Sequence, residues 1–284
     1  MTLLENLRYN PGEEGNDDAF VRTRRWPRPL TSTTPLARRI ERMHRLSVHL
    51  GHLPSAAGRL LAREVEVCSA SATRLGDPLV AVMGGAKVSD KLGVIEALLG
   101  IVDSIIVGGG MAFTFLKAQG YEVGDSLLED DMVETCGRLL QGLKTIHLPI
   151  DVTAPKGGKL FDPAAGGEVR QAGVNLAPGW MGVDIGPETA GQFSDVIDEA
   201  GTVLWNGPMG VFEDERSVAG TATIAHAIAE SRAFTVVGGG DLAAAAKQFG
   251  VDGDVDHMST GGAPLELIEQ GDLPGLAALR EGTK

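Results

Sequence analysis

The scarcities of this chain already narrow its class. Its 284 residues hold two cysteines, Cys68 and Cys136, far apart and forming no CxxC pair. That excludes a disulfide framework, offers no zinc-ligand spacing and suits a reducing cytoplasm. Positive charge is also short, with 25 lysines and arginines against 38 acids and a formal net charge of -13. Such a balance argues against nucleic acid or a membrane surface as partner, yet leaves room for a phosphate in a local pocket. No apolar run reaches membrane-spanning length, and Met1 does not open the charged and apolar pattern of a secretory leader. Two common nucleotide motifs are missing too. The stretch "GGAKVSDK" at 84–91 does not supply GxxxxGK[ST], and no glycine-rich stretch completes GxGxxG with an acid further on.

What is present is a chain that is 43% hydrophobic, enough for one large or two ordinary cores. From Pro78 on, strand-like runs alternate with helical patterns: "PLVAVMGG", "VSDKLGVIEALLG", "SIIVGGG", "MAFTFLKAQG", and again later. This alternation predicts a doubly wound α/β domain over residues 75–260, with a parallel six-stranded sheet and helices on both faces. Continuous Val/Ile/Leu strands fit a sheet covered on both sides.

In such a sheet ligands sit beyond the carboxyl ends of the strands. Four of the expected strand exits are rich in glycine: "VMGGAKVSDK", "IIVGGGMAF", "VLWNGPMGVFE" and "TVVGGGDLA". One such exit reads equally well as a tight turn, but four in one domain suggest a ligand touching the main chain, with helix N-termini favouring phosphate. Lys87 and Lys91, spaced four apart, are expected on one face of a helix's first turns, and Asp241 opens another helix. Lysines neutralise phosphate oxygens and a carboxylate takes Mg2+. Taken singly, each of these charges also reads as a solvated helix end, and Asp241 as an N-cap.

The segments "GGAKVSDK" (84–91), "VGGGMAFTFL" (107–116), "DIGPET" (184–189), "LWNGPMGVFE" (204–213), "VVGGGD" (236–241) and "HMSTGG" (257–262) stand in the order seen in phosphoglycerate kinase. The chain closely resembles that family from Leu53 onward, and "LLENLRYNPGEEGND" (3–17) resembles a stretch of its N-terminal domain. The resemblance implies reversible phosphoryl transfer between 1,3-bisphosphoglycerate and MgADP, in a cytoplasmic, monomeric, two-domain enzyme that closes on its substrates. By position it implies that Lys87 reaches the transferring phosphoryl group, Lys91 and Asn206 the nucleotide phosphates, and Glu213 the ribose. Gly85, Ala86, Gly109, Pro208, Gly210 and Val211 would wall the adenosine, Asp241 would engage Mg2+, and Arg8 would contact the acid substrate. Gly238, Gly239 and Gly240 would bring a helix N-terminus to the phosphoryl group in flight, where fixed donors stabilise spreading charge.

The same resemblance divides the chain into a remnant of the N-terminal substrate domain (1–58), an interdomain helix or linker (59–74), the nucleotide-binding domain (75–260) and a returning segment (261–284). The family places most of an N-terminal domain ahead of "LLENLR", including residues that hold phosphoglycerate, which implies a truncated chain with impaired or no turnover. It usually reads three glycines after "ST", where this chain has "STGGAP". Between Phe20 and Arg63, ten arginines stand with a single acid, Glu41. There the family carries a "DAFGTAHRAHAS"-like motif with a substrate-binding arginine. A coding sequence for YVDDAFGTTHRAHASTVG, read one base late, yields TSTTPLARRIERMHRLSV, which is Thr31 to Val48 of this chain. The island thus reads as the family's own motif out of frame. Two alternatives are a nucleotide-binding module that turns nothing over, and an interaction protein whose Arg22 to Arg45 island docks an anionic partner.

Overall fold

The computed structural model describes residues 78–142, 146–157 and 168–259, and in shorter pieces 31–33, 55–57, 59, 62–63, 65–66, 276–277 and 280. The chain divides into two compact units, one comprising 1–70 with 260–284 and the other 71–259. In the first, strand β1 (Thr31–Thr33) pairs in parallel with β2 (Ser55–Ala57). Arg8 and the arginines from Arg22 to Arg45 lie outside the described residues.

The second unit carries the expected sheet. Its strands are β3 (Leu79–Met83), β4 (Ser104–Val107), β5 (Ile146–His147), β9 (Thr202–Asn206), β10 (Phe234–Gly238) and β11 (His257–Ser259). All pair in parallel, in the order β11-β10-β9-β3-β4-β5. The chain therefore starts in the middle at β3, builds outward through β4 and β5, and returns to build β9, β10 and β11 on the other side. Between β3 and β9 the direction of winding reverses, and the crevice beyond their carboxyl ends is where such sheets hold ligands.

Pleating explains why these strands are apolar throughout. Val80, Val82, Ile106, Val203, Trp205 and Val237 belong to one buried cluster with Phe193, Ile197, Ile224, Ile228 and Leu242 from the helices. Their chain neighbours Leu79, Ala81, Met83, Ile105, Val107, Leu204 and Val236 point to the opposite face and are buried as well. Each fully buried aliphatic side chain contributes about 1.5–3 kcal/mol relative to exposure, so a charge on either face of these strands would be costly.

The helices follow from the spacing of apolar residues. Helix α1 (Leu92–Leu98) buries Ile95 and Leu98, and α2 (Met111–Ala118) buries every residue from Met111 to Leu116. Helix α3 spans Val133–Gly142. Helix α4 (Pro187–Asp198) begins with Pro at its first position, where no N–H is needed, and buries Thr189, Ala190, Phe193 and Ile197 along one stripe. Helix α5 (Ala219–Glu230) buries Ile224, Ala225 and Ile228. Helix α6 (Gly240–Phe249) ends on left-handed Gly250 at φ 72°.

One part of the unit departs from the expected alternation. Strands β6 (Asp151–Pro155), β7 (Val169–Gly173) and β8 (Asp184–Ile185) form a separate three-stranded antiparallel sheet in the order β7-β6-β8. Strand β6 is buried along its length, and Val152 and Ala154 pack with Phe113, Leu116 and Trp180 in a second core cluster.

Candidate active site

The exits of β3, β4 and β9 are joined backbone to backbone. Gly84 N donates to Asn206 O (2.9 Å), Gly85 N to Pro208 O (3.0 Å) and Gly109 N to Met209 O (2.9 Å). A Cβ on Gly84 would stand 2.1 Å from Pro208 O, and one on Gly207 2.2 Å from Gly84 O. On Gly109 it would meet the backbone of Gly85 at 2.6 Å. Much of the bareness of these loops is thus spent on packing main chain against main chain, which the sequence pattern alone did not separate from ligand contact.

The loop 84–91 carries the two lysines, but not on a helix. Helix α1 starts only at Leu92, with Lys91 as its N-cap residue at φ -127° and ψ 3°. Four-residue spacing suggested a shared helical face; the segment instead turns at Val88, whose side chain is fully buried and whose carbonyl accepts from Lys91 N (2.9 Å). Lys87 is exposed. Lys91 reaches inward, and its Nζ donates to Asn206 Oδ1. Burial lowers its amine to about 8, against the raising influence of Asp241 and Asp90. Asn206 Nδ2 donates in turn to Gly238 O (2.6 Å), so this side chain links the lysine loop to the end of β10. Sequence reasoning brought Lys91, Asn206 and Gly238 to one place, and the geometry joins them directly.

The β10 exit differs from the other three. Gly239 sits at φ 122° as the N-cap residue of α6, a conformation L side chains rarely adopt. A Cβ on Gly239 would find its nearest neighbour at 3.5 Å, and one on Gly240 would meet nothing within 4 Å. Asp241 is exposed in the first turn of α6, one place past its first residue, and is not the N-cap. Among the described residues, no cluster of three or more His, Cys, Asp or Glu could hold a metal on its own. A lone carboxylate fits Mg2+ that arrives on phosphates, since this ion keeps several waters and takes one or two protein carboxylates.

The "DIGPET" and "GPMG" segments form a wall. Asp184 is 3% exposed, and its carboxylate accepts from Gly220 N (2.6 Å) and Ile185 N (2.9 Å). Burial pushes its carboxyl up to about 7, against the lowering influence of those two hydrogen bonds. Gly210 lies so close to it that a Cβ would stand 2.1 Å from Asp184 Oδ1. Thr221 Oγ1 accepts from both Met209 N and Gly210 N at 3.1 Å. Val211 N donates to Val183 O (3.0 Å), closing the wall onto the segment 181–183.

Between these parts lies a cavity of about 410 Å3. It is lined by Gly85, Ala86, Gly109, Pro208, Gly210, Val211, Glu213 and Asp241 from the expected set, with Gly110, Leu127, Met181, Gly182 and Val183 in addition. Lys87, Lys91, Asn206 and Gly238 to Gly240 are not in its lining. Leu127 and Met181 to Val183 escaped sequence reasoning because they come from the loop before α3 and from the strap leading to the antiparallel sheet. An exposed leucine in "LLEDD" carries no pattern that sets it apart.

Comparison with known proteins places these features in a family. The sequence model of phosphoglycerate kinase matches residues 1–271. A phosphoglycerate kinase of Salinispora tropica is 48% identical over 98% of this chain and 71% of its own length. That of Pelotomaculum thermopropionicum is 46% identical, again over 98% and 71%. The solved structure of phosphoglycerate kinase from Coxiella burnetii aligns with a TM-score of 0.76 at 36% identity, covering 84% of this chain and 61% of that one.

Proposed function

Because this chain belongs to the phosphoglycerate kinase family, we propose that it holds MgADP or MgATP in the cavity at the β3/β9 crevice for reversible phosphoryl transfer with 1,3-bisphosphoglycerate. The observation that carries this reading is the cavity itself, which gathers Gly85, Gly109, Pro208, Gly210, Glu213 and Asp241 from four separate strand exits. Apolar Leu127, Met181, Val183 and Val211 suit the faces of a base, and the Glu213 carboxylate suits ribose hydroxyls.

The phosphates then extend toward Lys91 and Asn206, whose Oδ1 already engages the lysine Nζ. An arriving phosphate replaces that amide oxygen with full negative charge and favours the ammonium form of Lys91. Lys87, exposed on the same loop, neutralises the phosphoryl group as it moves. Gly239 N donates to Ser259 O (3.3 Å), so it is the N-terminus of α6 from Gly240 onward that turns its first-turn N–H groups and the positive end of its dipole to the same oxygens. Asp241 would hold Mg2+ together with the nucleotide, and the ion would supply charge neutralisation across the phosphates.

In this reading residues 75–260 are the nucleotide-binding domain, residues 59–74 link it to a substrate domain, and the protein works as a cytoplasmic monomer. Among the described residues no helix is long and apolar enough to cross a membrane. Turnover is impaired, because the island at 31–48 lacks the family's "DAFGT"-type motif. Calorimetry and thermal unfolding with MgADP test the nucleotide half: binding with a rise in Tm is expected, and no heat and no stabilisation at saturating MgADP would overturn it. A coupled assay with both substrates then measures how much transfer survives.

A further inference from the structure

The segment 127–129 touches the site twice. Leu127 lines the cavity. Two residues on, Glu129 directs its carboxylate at the turn between Lys87 and Lys91, accepting from Val88 N (2.6 Å), Ser89 N (3.3 Å) and Ser89 Oγ (2.5 Å). Its own N–H donates to Thr114 Oγ1 (3.3 Å), on buried α2. We propose that Glu129 is a positioning residue for phosphate recognition, holding the lysine-bearing loop in register with the cavity; this rests on the nucleotide reading of that cavity.

The loop needs such a hold. It is not helical before Leu92, and Ala86, Lys87, Ser89 and Asp90 are all exposed. Its ends are tied by the Gly84 and Gly85 backbone bonds and by Lys91 to Asn206, but between them the buried Val88 side chain and the turn at Lys91 are its other anchors. Without Glu129, two backbone N–H groups and a hydroxyl would turn to water and the loop would sample other conformations. Burial of Glu129 would raise its pKa, but hydrogen bonds from Ser89 and Val88, with the charge of Lys87, outweigh this and keep it below the ordinary value. The group therefore acts as a carboxylate at neutral pH.

A carboxylate this close to a polyphosphate site repels the ligand. Electrostatics alone therefore says that neutralising Glu129 tightens MgADP binding, whereas a positioning role says that it weakens it. The sign decides between them. Adenosine supplies the control, because it fills the cavity beside Leu127 but carries nothing for the lysines.

The experiment is calorimetry on the full chain, wild type against Glu129→Ala, Glu129→Gln and Ser89→Ala, with MgADP and with adenosine. Glu129→Ala should weaken MgADP about tenfold, as expected for loss of charge-assisted hydrogen bonds, with adenosine changed by less than about twofold. Glu129→Gln keeps one acceptor but turns an amide NH2 toward a donor, so it should fall between wild type and Ala. Ser89→Ala removes one exposed hydroxyl and should weaken MgADP about threefold in the same direction; it carries the test if Glu129→Ala does not fold. Equal losses for both ligands would show only a softened cavity, and unchanged or tighter MgADP would show only repulsion. Either result overturns the assignment while leaving the nucleotide site standing. A wild-type chain that binds neither ligand overturns the nucleotide reading, and this assignment with it.

Discussion

The glycine-rich exits of β3, β4 and β9 and that of β10 look alike in sequence but answer to different physics. At the first three, neighbouring main chain demands glycine at Gly84, Gly109 and Gly207, as the 2.1 Å approach at Gly84 and the 2.2 Å approach at Gly207 show, with a positive φ added at Gly109 and Gly207. Gly85, by contrast, is set by its φ of 113° without a backbone neighbour. At the fourth, Gly239 is demanded by its own φ of 122°, and Gly240 has open space around it. The first group builds a rigid wall from paired backbones. The second leaves N–H groups at the start of α6 without a covering side chain. A run of glycines therefore does not say whether the backbone is bare for the fold or for a ligand, and only the neighbours decide it.

Substitutions can break this contrast. Gly207→Ala should have the largest effect, costing about 3 kcal/mol or more in urea unfolding, since the Cβ meets backbone that cannot move alone and the φ of 93° adds its own strain. A variant as stable as wild type would erase the distinction. Gly239→Ala should cost about 1–2 kcal/mol through its left-handed φ, with no steric share from neighbours.

Asp184 sharpens the wall side through pH. Its carboxyl is raised from 3.8 to about 7 in the folded protein, so between those values the native state holds a proton that the unfolded chain has released. The contribution of this group to stability therefore falls as pH rises from about 4 to about 7 and levels off above. Asp184→Asn should flatten that slope in Tm measured against pH, and an unchanged slope would refute the assignment of this proton. Smallest of all, Gly240→Ala should shift stability by less than about 0.5 kcal/mol, because alanine suits a helix and nothing stands nearby. Phosphoryl transfer, where it can be measured, should still fall. If Gly240→Ala instead unfolded the protein, the β10 exit would belong with the other three.

Much of the sheet was legible in the sequence because strands buried on both faces are apolar without interruption, as "LVAVM" is. The β7 strand "VRQAG" is polar and mostly exposed, so nothing in its own residues marks it as a strand; pairing with buried β6 makes it one. At the site, Gly85, Ala86, Gly109, Pro208, Gly210, Val211, Glu213 and Asp241 line one cavity, while Lys91, Asn206 and Gly238 are joined to one another by hydrogen bonds outside that lining. The helical placement of Lys87 and Lys91 failed because spacing cannot see Glu129, a carboxylate 40 residues or more away that holds the Val88–Ser89 turn open. The role of Asp184 was equally hidden, since burial of a carboxylate against Gly210 and Gly220 depends on neighbours distant in the chain.

The pairing of β3 with β9 sets Met83 against Asn206, so the two lips of the crevice are joined by residues far apart in the chain. Loop-closure entropy opposes such distant pairings, and folds that rely on them are slow to form. The crevice should therefore close late on the folding route, and a nucleotide would have little to grip in the transition state. Its effect should be kinetic on one side only, slowing unfolding while leaving the rate of folding nearly unchanged.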